Sequence, residues 1–234
     1  MVYNVLDIKP KNIDELDEVM THAEFSPNHF ALLAYSTSKG VIQVCDFRVA
    51  SSFNQGGQLK IENGTGKKKT IFSDLINAFS SVKFMRNYDH LLASRDYMTS
   101  KIWDIRNQGQ PVATYHTTDY FEKNLCNLYE DDSIYDRFFM DISPCSKYML
   151  TGAYNKSGHI IDIDGNYNST ITCDFNARPG KTTGKNRKYT PHKKLAGLEG
   201  DIDMKKKVMA GCWSPKEQLA ALAFRNCIFL YLGR

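Results

Sequence analysis

Apolar and polar positions alternate along this chain in a pattern that recurs four times. Each copy opens on a bulky apolar residue, then a polar turn, then a short apolar run. A second short run follows and usually ends in aspartate. The copies span 25–48, 84–107, 142–166 and 213–232, with the blocks FSPNHFALLAYS, FMRNYDHLLASR, ISPCSKYMLTGA and WSPKEQLAALAF. The second runs read VIQVCDFR, SKIWDIRN, GHIIDIDG and NCIFLYLG. The closing residues Asp46, Asp104 and Asp162 are 58 residues apart, twice over. A repeat of this length predicts stacked supersecondary units.

The runs are rich in Val, Ile, Leu, Tyr and Phe and are bounded by Gly, Asn, Asp, Ser and Pro, which are strand and turn signals. Leu32, Leu33 and Ala34 align with Leu91, Leu92 and Ala93, and with Met149, Leu150 and Thr151. They are too short and too continuous for amphipathic helices, and they predict strands buried on both faces. Pro27, Pro144 and Pro215 mark turns, because proline cannot continue a central ladder. Trp103-Asp104 is the dipeptide that marks propeller blades. A meander-rich sandwich is the alternative, but it has no reason to repeat at a near-constant interval. The expected fold is an all-β, WD-repeat β-propeller of about four blades. Repeat cores are expected near 18–48, 80–107, 136–166 and 205–234.

The 234 residues, 42% of them hydrophobic, can bury a sizeable core. No run approaches the roughly 20 apolar residues of a membrane span. The N-terminus shows no signal-peptide pattern. Six cysteines without a CxxC pair predict reduced thiols in the cytoplasm or nucleus. The last copy stops after its third strand, and YNVLDI reads as an outer strand without inner ones. Both suggest part of a larger propeller, its C-terminal portion or a truncated gene product.

In an antiparallel meander, every crossover from outer to inner strand lies on one face. Here those crossovers are long: 7–18, 70–80, 116–137 and 176–207. Long loops on a rigid scaffold carry function more often than short ones. Asp14, Glu15, Asp17 and Glu18 make the first acidic, as do Asp119, Glu122, Glu130, Asp131, Asp132 and Asp136 the third. Residues 178–207 hold ten Lys or Arg against three Asp or Glu, and 176–207 reads as a basic flexible insertion. A charge run by itself is equally a solvated face, but two acidic loops on one face favour a basic partner. Leu16, Val19, Ile71, Phe72, Tyr129 and Tyr135 supply apolar anchors beside the acids. In TIFSDLINAFSS, Ile71, Leu75, Ile76 and Phe79 fall at helical spacing, which predicts a short helix packed on the core.

Catalytic and metal patterns are missing from the sequence. There is no GxSxG, no HExxH and no His pair at ligand spacing. GTGKKKT and GKTTGKN lack phosphate-loop spacing. No enzyme activity, cofactor, metal, membrane or nucleic-acid partner is expected.

VLDIKPKNIDELDEVMTHAEFSPN, STSKGVIQVCDFR, SRDYMTSKIWDI and PVATYHTTDYFEKNLCNLYEDDSIYDRF resemble the B-type WD-repeat regulatory subunits of protein phosphatase 2A, of the B-fifty-five class. The resemblance implies a seven-bladed propeller of roughly twice this length, of which this chain matches the C-terminal half. It implies a non-catalytic subunit, assembled with a phosphatase catalytic subunit and a helical-repeat scaffold. One propeller face would recruit substrates through basic or amphipathic segments. Carried over residue by residue, the groove positions are Asp14, Leu16, Val19, Ile71, Phe72, Tyr129, Asp132, Tyr135 and Arg137. Ile71 departs from an aromatic, Tyr135 stands for Phe and Arg137 for Lys. A generic propeller scaffold bridging other proteins is the alternative function.

Overall fold

The computed structural model describes residues 6–7, 12, 14, 17–48, 51–52, 59–64, 71–164, 167–173, 186–188 and 203–232. A short parallel pair, β1 (Leu6–Asp7) with β5 (Ser51–Ser52), stands apart from four antiparallel sheets. The first sheet is β2 (Met20–Phe25), β3 (Leu32–Thr37), β4 (Val41–Asp46) and β6 (Leu59–Glu62). The second is β7 (Ser81–Met85), β8 (Tyr88–Arg95), β9 (Thr99–Asp104) and β10 (Ala113–His116). The third runs β11 (Met140–Ile142), β12 (Tyr148–Gly152), β13 (Ser157–Asp162) and β14 (Tyr167–Thr172), with β15 (Asn186–Lys188) added at its edge. The fourth is β16 (Ala210–Trp213), β17 (Leu219–Phe224) and β18 (Cys227–Leu232). Each sheet pairs its strands in chain order, which is the meander of a propeller blade.

The first strands of the blades meet in sequence: β2 with β7, β7 with β11, β11 with β16. One device joins two of these steps. A carboxylate on an inner strand accepts the backbone N–H of the bulky residue that opens the next copy. Glu24 accepts from Phe84 N at 2.9 Å, and Asp141 from Trp213 N at 2.8 Å. Lys83 lies between the two acids, 2.9 Å from Glu24 and 3.8 Å from Asp141.

Apolar residues fill the spaces between blades. Ile42, Val44 and Ile61 of the first blade meet Val82, Leu92 and Trp103 of the second. Trp103 is fully buried, edge-on to Phe79 at 6.4 Å, and its indole N–H donates to Ser94 Oγ at 2.7 Å. Met85, Ala93 and Ile102 pack against Met140, Met149 and Ile161. Leu150 and Ile171 pack against Leu222 and Phe224. Leu150 and Thr151 are both fully buried although their side chains point to opposite faces, as the continuous apolar run predicts.

The recurring aspartates hold turns. Asp46 accepts Arg48 N at 2.9 Å, Asp104 accepts Arg106 N at 2.9 Å, and Asp162 accepts Asp164 N at 3.1 Å. Arg48 and Arg106 fold back onto their aspartates as ion pairs. These bonds from the arginine side chains hold both carboxyls down at about 2.

The helix expected from TIFSDLINAFSS is shorter than its pattern, with α1 covering only Ser73–Asn77. Leu75 and Ile76 pack inward as expected, but Ile71 lies before the helix and Phe79 lies after it, in the space between the first two blades. A close approach fixes the end. Gly40, at φ +73°, turns β3 into β4 so near that a Cβ there would sit 2.6 Å from Asn77 O. That same carbonyl accepts Asn63 Nδ2 at 2.9 Å and is therefore turned to the first blade. Gly152 is forced for the same reason: a Cβ would lie 1.9 Å from Val208 O.

Candidate functional site

The long crossovers and the turns between second and third strands gather on one face. Tyr97 and Met98 from the second blade's turn, and Tyr154 from the third's, form one apolar cluster with Phe121, Leu128, Ile134 and Phe138 of the third crossover. Phe72, Leu75 and Ile76 from α1, and Met204 and Met209 from the fourth crossover, pack against it. The third crossover is mostly helical: a 3-10 turn over Asp119–Asn124, then α2 (Leu125–Glu130), then a 3-10 turn over Ser133–Tyr135.

Polar bonds fix this crossover from beneath. Tyr97 and Tyr154 both donate to Ser133 O, at 3.2 and 3.1 Å, and their hydroxyls lie 3.0 Å apart. Tyr154 also reaches Asp136 Oδ2 at 2.9 Å, and Lys207 pairs with the other oxygen of Asp136. Burial, with neighbouring Tyr97 and Asp136, pushes the Tyr154 hydroxyl well above its ordinary range, so it remains a donor. Asp132 enters the second 3-10 turn in the left-handed region, at φ 57°.

Above this brace Tyr129 and Tyr135 are exposed and Phe72 is half-buried. Phe72 packs on Tyr129 with ring centroids 5.7 Å apart, and Tyr129 on Tyr135 at 6.1 Å. Tyr129 and Tyr135 keep 48% and 45% of their surface, and Ile71, beside Phe72, keeps 93%. Partial desolvation, the neighbouring Tyr129 and the Asp132 charge raise the Tyr135 hydroxyl. Asp132 is exposed and makes no ion pair among the described residues. Asp74, Glu122, Glu130 and Asp131 are also exposed. The result is an aromatic track edged by carboxylates.

The first crossover reaches the same face by another route. Val19 exchanges bonds with Ser38 in the first blade's turn, and Asp17 pairs with Lys39 there. The charges of Glu18 and Asp74 also act on Lys39, which connects this corner to α1. Val19 is 66% exposed and Asp14 is exposed. Leu16 lies outside the described residues, as does the basic insertion apart from 186–188 and 203–207.

Of the nine residues singled out in the sequence, Phe72, Tyr129 and Tyr135 are in direct contact in series, with Ile71 next to Phe72 in the chain and the Asp132 charge acting on Tyr135. Val19 belongs to the Lys39 corner through Ser38, and Asp14 is exposed with only a local bond from its N–H to Asn12 Oδ1. Arg137 differs: it is half-buried, Nη1 has no hydrogen-bond partner among the described residues, and burial lowers its pKa. Sequence reasoning missed Tyr97 and Tyr154. Their signal was present, since each occupies the same turn of its repeat, 57 residues apart.

Four meanders with adjoining inner strands define this molecule as a WD-repeat-type β-propeller. In fold it is similar to Raptor from Chaetomium thermophilum, with a TM-score of 0.60 at 15% identity over 91% of this chain and 15% of that one. The sequence is homologous to the 55 kDa B-type regulatory subunits of serine/threonine-protein phosphatase 2A. The B gamma isoforms of human, rabbit and mouse are each 32% identical over 232 residues, which is 98% of this chain. The chain spans about half the length of these curated relatives, 52%. No family model matches it. Among the described residues, no helix is long and apolar enough to cross a membrane.

Proposed function

We propose that the chain is a non-catalytic regulatory subunit of protein phosphatase 2A, and that the face bearing the long crossovers selects substrates. The observation that carries this reading is the ring series of half-buried Phe72 and exposed Tyr129 and Tyr135, with the exposed Asp132 carboxylate acting on Tyr135, in a chain homologous to a phosphatase regulatory subunit. Aromatic anchors in a carboxylate field suit a basic or amphipathic segment, with the rings supplying contact area and the charges steering and registering the partner. Asp14, Leu16, Val19, Ile71, Phe72, Tyr129, Asp132, Tyr135 and Arg137 make up the binding surface. Dephosphorylation takes place in a separate catalytic subunit, held with this chain by a helical-repeat scaffold. The assembly works in the cytoplasm or nucleus, where six free cysteines stay reduced.

Affinity purification of the tagged chain from cells tests the reading. The catalytic and scaffold subunits should co-purify with it and bring phosphatase activity. If neither is recovered, the general propeller scaffold becomes the better description. Fractionation of the same cells should place the chain in the cytoplasmic or nuclear pool.

A further inference from the structure

One face of the fourth blade is open. The strand register sets Ala210, Ala223 and Ile228 in one row across β16, β17 and β18, and Cys212, Ala221 and Leu230 in the next. Leu219 and Leu232 form a third row. Seven of these residues are aliphatic, and Cys212, a free thiol, is a small hydrophobe. None is fully buried, and Ile228, Leu230 and Leu232 keep 71%, 65% and 70% of their surface. The opposite face of the same sheet, through Ala220, Leu222 and Phe224, packs on the third blade.

The other blades show what such a face ordinarily does. Ala221 and Leu230 correspond to Ala34 and Val44 in the first blade and to Ala93 and Ile102 in the second. Those two pairs lie against the following blade, which leaves Val44 and Ile102 only 3% and 2% exposed. The fourth blade has the same apolar face without a following blade among the described residues.

An occupant has to be apolar over the same area, because a charge set against this face would be buried without a partner. The first blade, at the other end of the series, does not qualify. Its face turned from the second blade carries Gln43 and the Lys60–Glu62 ion pair, and its Tyr35 and Cys45 are already buried. The open face itself does qualify. Its large side chains Ile228, Leu230 and Leu232 stand on the edge strand β18, and the small Ala210, Cys212, Ala221 and Ala223 on β16 and β17. Stack two copies face to face about a twofold axis running along the strands, and each β18 lies over the small residues of the other copy. Large then meets small in both directions, as interdigitating layers require. The eight residues keep on the order of 600 Å² exposed, so a pair of copies removes about 1,200 Å² from water, the lower end of specific interfaces and the upper end of what a monomer leaves bare.

We propose that the chain forms a twofold dimer through the open face of its fourth blade, a second copy being the occupant. The proposal is independent of the phosphatase reading.

Sedimentation equilibrium of the purified full chain, from low micromolar to sub-millimolar concentration, tests it. The mass should rise to that of two chains and stop there, because an isologous contact closes on itself. L230D puts a carboxylate into both halves of the contact and should weaken dimerisation about a hundredfold. L232T keeps a strand-forming residue and should weaken it about tenfold. A221L adds apolar surface but fills the hollow that receives the large side chains, and should also weaken it about tenfold. Phe25→Ser, in the first blade, should dimerise as the parent does. A parent that stays monomeric over the whole range would overturn the proposal. So would a mass that climbs past two chains, which marks open-ended edge pairing, or parent affinity in both L230D and L232T. Tighter association of A221L would replace large-on-small packing with general stickiness, and a monomeric Phe25→Ser would move the contact to the first blade; either result contradicts the assignment. Recovery or loss of phosphatase subunits has no bearing on these outcomes.

Discussion

Asp96 and Asp132 stand on the same face of the propeller and do opposite things. The Asp96 side chain is 3% exposed. It accepts Met98 N at 2.9 Å, Thr99 N at 2.6 Å, Thr99 Oγ1 at 2.7 Å and Asn63 Nδ2 at 3.0 Å, and it pairs with buried Lys101. Burial raises its pKa, but Lys101, Thr99 and the Arg95 charge outweigh that and keep it below the ordinary carboxylate value. Asn63 links this turn to the first blade and to the end of α1. Asp132 is exposed, without an ion pair among the described residues, on a loop held from beneath by Tyr97, Tyr154 and Asp136. The first carboxylate is consumed by the fold, whereas the second is presented to solvent by it. Counting acids along a loop cannot make that distinction. Asp17 and Asp136 also look available in the sequence, yet Lys39 and Lys207 neutralise them.

The comparison breaks most readily at the buried site. Asp96→Ala leaves Lys101 buried without its partner and should cost about 3–5 kcal/mol of stability. Trp103→Ala should cost about the same through the cavity it opens between the first two blades. Thermal or urea melts check both, and an unchanged midpoint in either would remove that residue from the core account. Acid should act in the same direction. The Asp96 carboxyl is depressed in the fold, so its contribution is present above the unfolded value and lost as pH falls through the folded one.

A second pH effect is narrower. His159 is fully buried, with Nδ1 3.1 Å from Thr170 Oγ1, and burial, aided by the Arg95 charge, lowers its pKa from 6.5 to about 4. The unfolded chain binds this proton first as pH falls. Stability is therefore full above about 6.5 and declines toward 4, by up to roughly 3 kcal/mol. Melts at pH 7.5 and 5 should show the loss, and His159→Gln should flatten it. An equally steep profile in that variant would assign the loss to other groups.

The blades were legible because everything that specifies them is local. Turn residues, short apolar runs and, in three of the four copies, a closing aspartate lie within one copy, and the spacing of Asp46, Asp104 and Asp162 sets the period. The gathering of the crossovers followed from meander geometry alone. The unread part depends on contacts between distant residues. Lys39 meets Asp17 across 22 positions and Lys207 meets Asp136 across 71. The length of α1 is set by Gly40 and Asn63 in another blade, which no helical periodicity contains. Of the proposed groove, the aromatic members were legible as exposed-loop aromatics, while the tyrosine brace beneath them was not.

The smallest expected effect is also the most direct test of the central claim, that the aromatic–acidic track is a binding surface and not a packed core. Asp132→Lys and Tyr135→Ala should leave the melting midpoint near that of the parent, since both residues are exposed. The measurement is calorimetric titration of the purified holoenzyme with a basic-flanked phosphopeptide at low and high salt. Each substitution should weaken binding by about 1–3 kcal/mol, with the Asp132→Lys loss shrinking as salt rises. Parent affinity in both variants, with assembly onto the scaffold lost instead, would contradict the account and assign this face to the holoenzyme interface.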